Sequence, residues 1–315
     1  MKYRFPAIVI LTVFGLFLSF PKQVFTGAEN GLMLWFQIMV PTLFPFMILL
    51  NLMVNTSIVH TLSRLFAPVF GRIFQVSPYG TLAVFTGFLC GYPMGSKVTA
   101  DLLKNGYITI SESQYLLSFC NNTSLSFIVS FLISQTLHCP NQMIPSLIIL
   151  FLSPFTVSIF TRKIHRPSSM YGMNYASESL PSFNFRHPVT LSETLDRCMM
   201  NSFESMLKIG CYMMIFSILS VFCRLWFPKN FLGTTILLSS LELTNGLVLL
   251  SKNPLTTDQL YILSLALTSF GGWCAAAQTY AMIQETKLKL FPYIIEKLAT
   301  MLVTSLYALC YLLLR

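Results

Sequence analysis

The stretch Thr86-Gly-Phe-Leu-Cys-Gly-Tyr-Pro-Met-Gly-Ser-Lys97 contains the residues that decide the fold. It continues an apolar run and then places three helix-breaking residues, Gly91, Pro93 and Gly95, at the depth of a membrane segment. A helix in hydrocarbon satisfies its backbone polar groups internally, so such a break is tolerated only where protein or a water-filled cavity surrounds it. Because transporters place such breaks at their substrate sites, the stretch predicts a re-entrant helical hairpin over residues 82–103. A solvated loop between two short buried helices is the alternative.

The composition predicts an integral membrane protein. Of the 315 residues, 54% are hydrophobic and 10% are charged, whereas soluble domains carry roughly a quarter charged residues. The first apolar run, residues 5–20, ends at Pro21-Lys22 without a small-residue cleavage site, so we expect a retained first span with a cytoplasmic N-terminus. The net charge of +9 lies largely in short loops, where it orients the spans, and we expect no nucleic-acid partner.

Motifs for enzymatic chemistry are missing from the sequence. The eight cysteines form no C-x-x-C pair, which argues against a metal knuckle or a disulfide framework. The chain also lacks G-x-S-x-G, H-E-x-x-H and P-loop motifs. We therefore expect no metal, no cofactor and no enzymatic activity.

The apolar segments predict an all-α polytopic protein with about seven transmembrane spans and two re-entrant hairpins. Residues 58–76 are spaced like an amphipathic helix that lies in the membrane interface. The second half of the chain repeats the order of the first, namely span, interrupted segment, interrupted segment, span. The predicted division is an N-terminal span in 1–30, a first repeat in 31–161 with hairpin 82–103 and unwound helix 112–134, a cytoplasmic loop in 162–197, and a second repeat in 198–315 with hairpin 231–251 and unwound helix 260–283.

Loop charges favour this topology, because Lys and Arg concentrate in cytoplasmic loops. If both hairpins enter and leave on one side, the basic residues on the inside are Arg64, Arg72, Lys104, Arg162, Lys163, Arg166, Lys287, Lys289 and Lys297. The outside loops, around 21–31, 135–142, 227–230 and 252–258, then hold Lys22, Lys229 and Lys252. Each half crosses the membrane three times, so the two repeats are predicted to be inverted.

Lys97 is the strongest candidate for contact with a ligand in the first hairpin. An ammonium at this depth needs an anionic partner, which is either a ligand or Asp101 one turn further on. Gly91, Gly95 and Ser96 would let the following half-helix expose free backbone N–H groups to an anion.

A run of four polar residues in mid-span, Asn121, Asn122, Thr123 and Ser124, predicts an unwound segment that lines a cavity. Successive residues on a helix lie about 100° apart, so four in a row cannot all face one neighbour. Interhelical hydrogen bonding is the alternative interpretation.

The second half contains a corresponding set of residues. Glu242 is a candidate for binding a coupling ion, Na⁺ or H⁺, or for pairing with a basic side chain, and the sequence does not decide between these. Thr244 and Asn245 are predicted to contact the substrate from this side. Ser269, beside Gly271-Gly272, indicates a second unwound point or close helix packing.

The segments Phe88-Leu-Cys-Gly-Tyr-Pro-Met-Gly-Ser-Lys97 and Leu117-Ser-Phe-Cys-Asn-Asn-Thr-Ser124 resemble the sporulation integral membrane protein family YlbJ, also called SpoVV, over essentially the whole chain. Members of this family carry the Gate, or nucleoside-recognition, domain, which is similar to the concentrative nucleoside transporters. The resemblance implies two inverted repeats, each with a re-entrant hairpin and an unwound helix, and an elevator-like carrier. Tyr92 lies in the first hairpin tip, which in the nucleoside transporters contacts the base.

The resemblance further implies that the substrate is dipicolinic acid, a planar pyridine dicarboxylate carried across the outer forespore membrane. With Lys97 at the hairpin tip, an anion fits this sequence better than a nucleoside, and Lys97→Ala is expected to abolish transport. A carrier of nucleosides or another neutral metabolite and a non-transporting scaffold for spore envelope assembly are the alternatives. The expected partners are the small anionic substrate and the lipid bilayer, with a homo-oligomer left open.

Overall fold

A computed structural model describes residues 4–56, 58–165, 191–226 and 232–315, and the regular elements in these ranges are all helices. The first half contains α1 (Arg4–Ser19), α2 (Pro21–Leu34), α3 (Val40–Val54), α4 (Ile58–Phe66), α5 (Arg72–Phe74), α6 (Gly80–Leu89), α7 (Met94–Lys104), α8 (Ile110–Cys120) and α9 (Met143–His165). Short π-helical segments at Trp35–Met39, Ala67–Gly71 and Phe127–Leu137 and a 3₁₀ turn at Pro140–Gln142 join or extend them.

The second half contains α10 (Leu191–Trp226), α11 (Leu232–Leu241), α12 (Leu243–Ser251), α13 (Thr257–Phe270), α14 (Gly272–Ile283) and α15 (Leu290–Leu314). Most of the predicted loop 162–197, namely residues 166–190, lies outside the described residues, as does the predicted outside loop 227–230. The remainder of the 162–197 segment is helical, because α9 continues to His165 and α10 begins at Leu191.

The expected all-helical membrane protein is confirmed. Five helices of the described ranges are long and apolar enough to cross a membrane: Pro21–Val54, Pro140–His165, Ser192–Trp226, Thr257–Ile283 and Leu290–Leu314. Shorter apolar helices accompany them at Ile10–Ser19, Gly80–Leu89 and Phe127–Leu137. The faces of these helices carry many exposed large apolar side chains, such as Leu11 and Phe14 on α1, as expected for contact with lipid.

The prediction of an outside loop at residues 21–31 is wrong. These residues form α2, which starts at Pro21 and packs along α10. Gly27 and Gly31 make this contact: an added Cβ would lie 2.6 Å from the Cα of Ile218 and 2.7 Å from the Cα of Met214. The spacing is Gly-x-x-x-Gly, which lets two membrane helices approach at backbone distance.

Two pairs of helices fold back on themselves at the predicted hairpins. α6 packs against α7 across the turn at residues 90–93, and α11 packs against α12 across Glu242. In the second pair the helices meet at Gly246, where an added Cβ would lie 2.4 Å from the Cα of Ser239. The inverted-repeat relation between the two halves stays a prediction.

Candidate functional site

Two interrupted helices meet inside the bundle. The first break is Asn121–Ser124, four non-helical residues that follow α8. The second break is Gly271–Gly272, where positive φ angles of 84° and 86° separate α13 from α14. The hydroxyl of Thr123 donates to the carbonyl oxygen of Thr268 at 2.7 Å, so the two breaks contact each other directly.

The tip of the first hairpin lies against both breaks. Gly91, at φ 82°, is so close to the first break that an added Cβ would lie 2.5 Å from the backbone nitrogen of Ser124. An added Cβ on Gly271 would lie 2.8 Å from the ring of Tyr92. Since Thr123 gives its single proton to Thr268, the Tyr92 hydroxyl donates to Thr123, at 3.0 Å. We call the first break, the second break and this tip the junction.

Lys297 brings a positive charge to the junction from α15. Its side chain is buried, at 1% exposure, and its ammonium donates to Oδ1 of Asn122 and to the carbonyl oxygen of Ser269, each at 3.1 Å. No carboxylate of the described residues lies within 4.0 Å of it. A charged side chain inside a membrane helix costs about 2.5–3.5 kcal/mol on insertion scales, and such residues mark functional sites by default.

Lys297 was not among the predicted site residues, and its predicted placement in a cytoplasmic loop is wrong. The error came from starting the last span at the apolar run after Lys297, whereas α15 begins at Leu290 and buries the lysine. The sequence does contain a pattern that indicates burial of Lys297. Lys297, Thr300 and Thr304 recur at helical spacing within a largely apolar stretch, and all three are buried.

Asn121 leaves an unpartnered acceptor in the same region. Its amide nitrogen donates to the hydroxyls of Thr279, at 2.7 Å, and Tyr293, at 3.0 Å. Its Oδ1 is buried and has no hydrogen-bond partner. Buried polar atoms are nearly always paired, so an orphan acceptor a residue away from the Lys297 contact indicates a place for a donor from outside the chain.

The cavity at the junction is closed in this conformation. It measures about 10 Å³, which is close to the space of one water molecule. Its lining joins polar groups of both breaks to apolar rings: Phe88, Asn122, Thr123, Ile128, Leu150, Phe151, Ser269 and Thr300. A substrate larger than water enters only if the elements of the junction move apart.

Lys97 lies elsewhere. Its ammonium is 3.0 Å from Asp101, one turn further along α7, so the chain itself supplies the anionic partner that the sequence analysis named as the alternative. The pair lines a cleft of about 250 Å³ together with the pairs Lys104–Glu285, at 2.6 Å, and Lys208–Glu204, at 2.8 Å. We call this the charged cleft. The Lys104 ammonium holds the pKa of the Glu285 carboxyl below its ordinary value.

Glu242 is occupied by its own hairpin. Its two carboxylate oxygens accept the backbone N–H groups of Thr244, at 3.0 Å, and Asn245, at 2.8 Å. It therefore caps the N-terminus of α12, where the helix dipole favours a negative charge. The last turn of α11 contacts the second break, since an added Cβ on Gly272 would lie 2.8 Å from the Ser240 carbonyl oxygen.

The structure thus gathers some of the predicted site residues and separates others. Those with a polar contact at the junction are Tyr92, Asn121, Asn122, Thr123 and Ser269. Gly91, Gly95 and Ser124 form the backbone packing between the hairpin tip and the first break. Ser96 is buried with its hydroxyl on the Pro93 carbonyl, and Thr244 and Asn245 stay at the second hairpin tip.

One curated relative supports the family suggested by the two motifs. The chain is 25% identical over 308 residues to the sporulation integral membrane protein YlbJ of Bacillus subtilis (strain 168), which covers 89% of this chain and 76% of the relative. No family model matches the chain. No solved structure matches it either.

Proposed function

We propose that the chain, which is similar to the sporulation integral membrane protein YlbJ, belongs to that family and carries a small organic anion across a membrane during spore formation. The substrate we propose is dipicolinic acid, and the membrane is the outer forespore membrane. The relative's name supports a membrane role in sporulation, and the chemistry of the junction supports the anion.

The observation that carries the proposal is the Lys297 ammonium, buried with neutral partners where two helix breaks meet. A substrate carboxylate would give this ammonium the counter-ion that the described part of the chain does not supply. The unpartnered Asn121 Oδ1 would accept a hydrogen bond from a donor that enters with the substrate, such as a water molecule. Thr123 lines the closed cavity of the junction, and its hydroxyl is hydrogen-bonded to Tyr92.

Transport in this proposal proceeds by alternating access. The closed junction is an occluded state, and it opens when the hairpin tip leaves the first break. One group of elements would move as a unit against the remaining spans. This group consists of the elements that meet at the junction, namely the hairpins α6–α7 and α11–α12 and the interrupted helices. The contacts of Tyr92 with both breaks are the ones that opening must release.

The test is uptake of radiolabelled dipicolinate into proteoliposomes that contain the full chain. Lys297→Gln keeps a hydrogen-bond donor for Asn122 and removes the charge. Hydrogen bonds to charged groups contribute about 1.5–3 kcal/mol, so we expect the apparent affinity for dipicolinate to fall by about tenfold or more. Excess uridine should not compete.

Lys97→Gln is the matched control, because it removes an equivalent charge from the charged cleft. We expect this variant to retain uptake. Loss of uptake in Lys97→Gln with wild-type uptake in Lys297→Gln would return the substrate contact to the first hairpin tip. Competition by uridine would favour a nucleoside carrier, and no flux of any substrate from a folded protein would favour the scaffold.

A further inference from the structure

A second buried ionic group involves the residue that precedes Lys297 on α15. Glu296, the preceding residue on α15, places Oε1 at 2.5 Å from Nε2 of His165, the last residue of α9. The side chains are 12% exposed for His165 and 8% for Glu296. Oε2 of Glu296 is buried and has no hydrogen-bond partner.

We propose that Glu296 and His165 form the site of a proton that moves together with the anion, an inference that rests on the proposed function. The hydrogen bond between the two groups requires one proton, and with that proton the pair is neutral overall. Oε2 of Glu296 is a buried oxygen that is free to take a second proton, which gives the pair a charge of +1.

The charge balance at the junction supports this assignment. A dicarboxylate brings two negative charges, and Lys297 supplies one positive charge. Because an uncompensated charge is costly in a water-excluded site, the second carboxylate would favour uptake of a proton by the Glu296–His165 pair, whose Glu296 directly precedes Lys297 on α15. By linkage the protonated pair favours the anion to the same degree, so the two are bound and released together.

The other ionisable groups around α15 do not replace this pair. Glu112 of α8 accepts the backbone N–H of Ser77 at 2.6 Å, and Lys297 points to the junction. The Glu242 carboxylate, the earlier candidate for a coupling ion, caps α12. Other titratable groups on elements packed against α15 are Arg162 and Lys163 of α9, Tyr115 and Cys120 of α8, Asp258 and Tyr261 of α13, and Cys274 and Tyr280 of α14. Tyr115 is bonded to the Phe74 carbonyl, and Tyr293 of α15 itself is bonded to Asn121.

The first arm of the test needs no substrate. Infrared difference spectra of the full-length protein in lipid, recorded across a pH titration, should show the carbonyl band of a buried protonated carboxylic acid. The band should be lost in Glu296→Gln and should titrate at a different pH in His165→Gln. Glu204→Gln, which removes an exposed carboxylate from an ion pair, is the matched control and should leave the band unchanged. Absence of the band, or its persistence in Glu296→Gln, would overturn the site.

The second arm measures coupling with dipicolinate as the probe and a pH-sensitive dye inside the proteoliposomes. With the membrane potential clamped at zero, an inside-alkaline gradient of about one pH unit should drive about tenfold accumulation if one proton accompanies each anion. Dipicolinate entry should acidify the lumen. Glu296→Gln should exchange dipicolinate at equal pH without accumulation or acidification, and His165→Gln provides the same readout if the first variant does not insert.

The arms separate the two proposals. Wild-type dipicolinate flux that ignores the pH gradient and moves no proton would overturn the coupling and leave the carrier function standing. A titrating Glu296 band without any dipicolinate flux would support the proton site and count against dipicolinate as the substrate.

Discussion

Thr123 is the residue through which both breaks and the hairpin tip are joined. Its hydroxyl accepts from Tyr92 and donates to the Thr268 carbonyl, and its side chain is buried. Thr123→Val keeps the shape and removes both bonds, leaving a buried carbonyl and a buried hydroxyl unpaired. We expect a loss of about 1–3 kcal/mol in the free energy of unfolding.

Thermal unfolding of the purified protein in detergent measures this effect. Tyr92→Phe removes one of the two bonds and leaves the Thr268 contact, so it should destabilise the protein less than Thr123→Val. An equal or greater loss in Tyr92→Phe would show that the bond to Thr268 contributes little to the closed junction.

For single residues, the sequence predicts which ones belong to the site better than it predicts which groups they contact. The run Asn121–Thr123 is identifiable because adjacent polar residues in a span cannot share one helix face, and all three make contacts at the junction. The sequence left the partner of Lys97 open between a ligand and Asp101, and the structure pairs it with Asp101 at 3.0 Å. Lys297 was missed because a hydropathy pattern ends an apolar span at a charged residue. Whether that residue is buried depends on the helices that surround it, which the pattern does not show.

Among the elements, the first hairpin depends on close approach of its backbone to α8. Gly95 lies within helix α7, and an added Cβ would lie 2.4 Å from the Cys120 carbonyl oxygen and 3.1 Å from the Cα of Asn121. Alanine is favoured over glycine in an exposed helix by about 0.5–1 kcal/mol. Here Gly95→Ala must push α7 away from the first break, and overpacking of this kind costs about 1–3 kcal/mol.

We therefore expect Gly95→Ala to lower the thermal stability in detergent and to reduce dipicolinate uptake. Gly15→Ala is the control, since Gly15 lies in α1 with no atom within 4 Å of an added Cβ. This variant should be as stable as the wild type or slightly more stable. Equal stability of the two variants would contradict tight packing of the hairpin on the break.

Element boundaries were predicted less well than element types. The breaks in the first hairpin and after α8 follow from Gly, Pro and polar residues that hydrocarbon does not tolerate in a continuous helix. α2 was missed because Lys22, Glu29 and Asn30 make residues 21–31 look like a loop. Its helix is stabilised by α10, and only the spacing of Gly27 and Gly31 indicates that partner.

On the scale of the whole molecule, the contacts divide the loops between two ends of the bundle. At one end the Lys104 ammonium bonds Glu285, the Ser111 hydroxyl donates to the His165 carbonyl, and the Gln114 amide bonds the backbone of Lys289. At the other end Ser146 of α9 bonds Tyr261 of α13, at 2.9 Å, close to the starts of both helices. The first end carries the basic loops, which the charge rule predicts to be cytoplasmic.

This orientation predicts which loops a membrane-impermeant maleimide reaches in intact cells. Asp258→Cys and Asn141→Cys, at exposed positions of the second end, should be labelled, and Lys287→Cys should be labelled only after the cells are permeabilised. The unmodified chain, with eight free cysteines, gives the background, and two of these, Cys211 and Cys310, are exposed on helices. Labelling of Lys287→Cys from outside would place the basic loops on the exterior. It would also place Glu296 and His165 toward the exterior, because both lie at the Lys287 end.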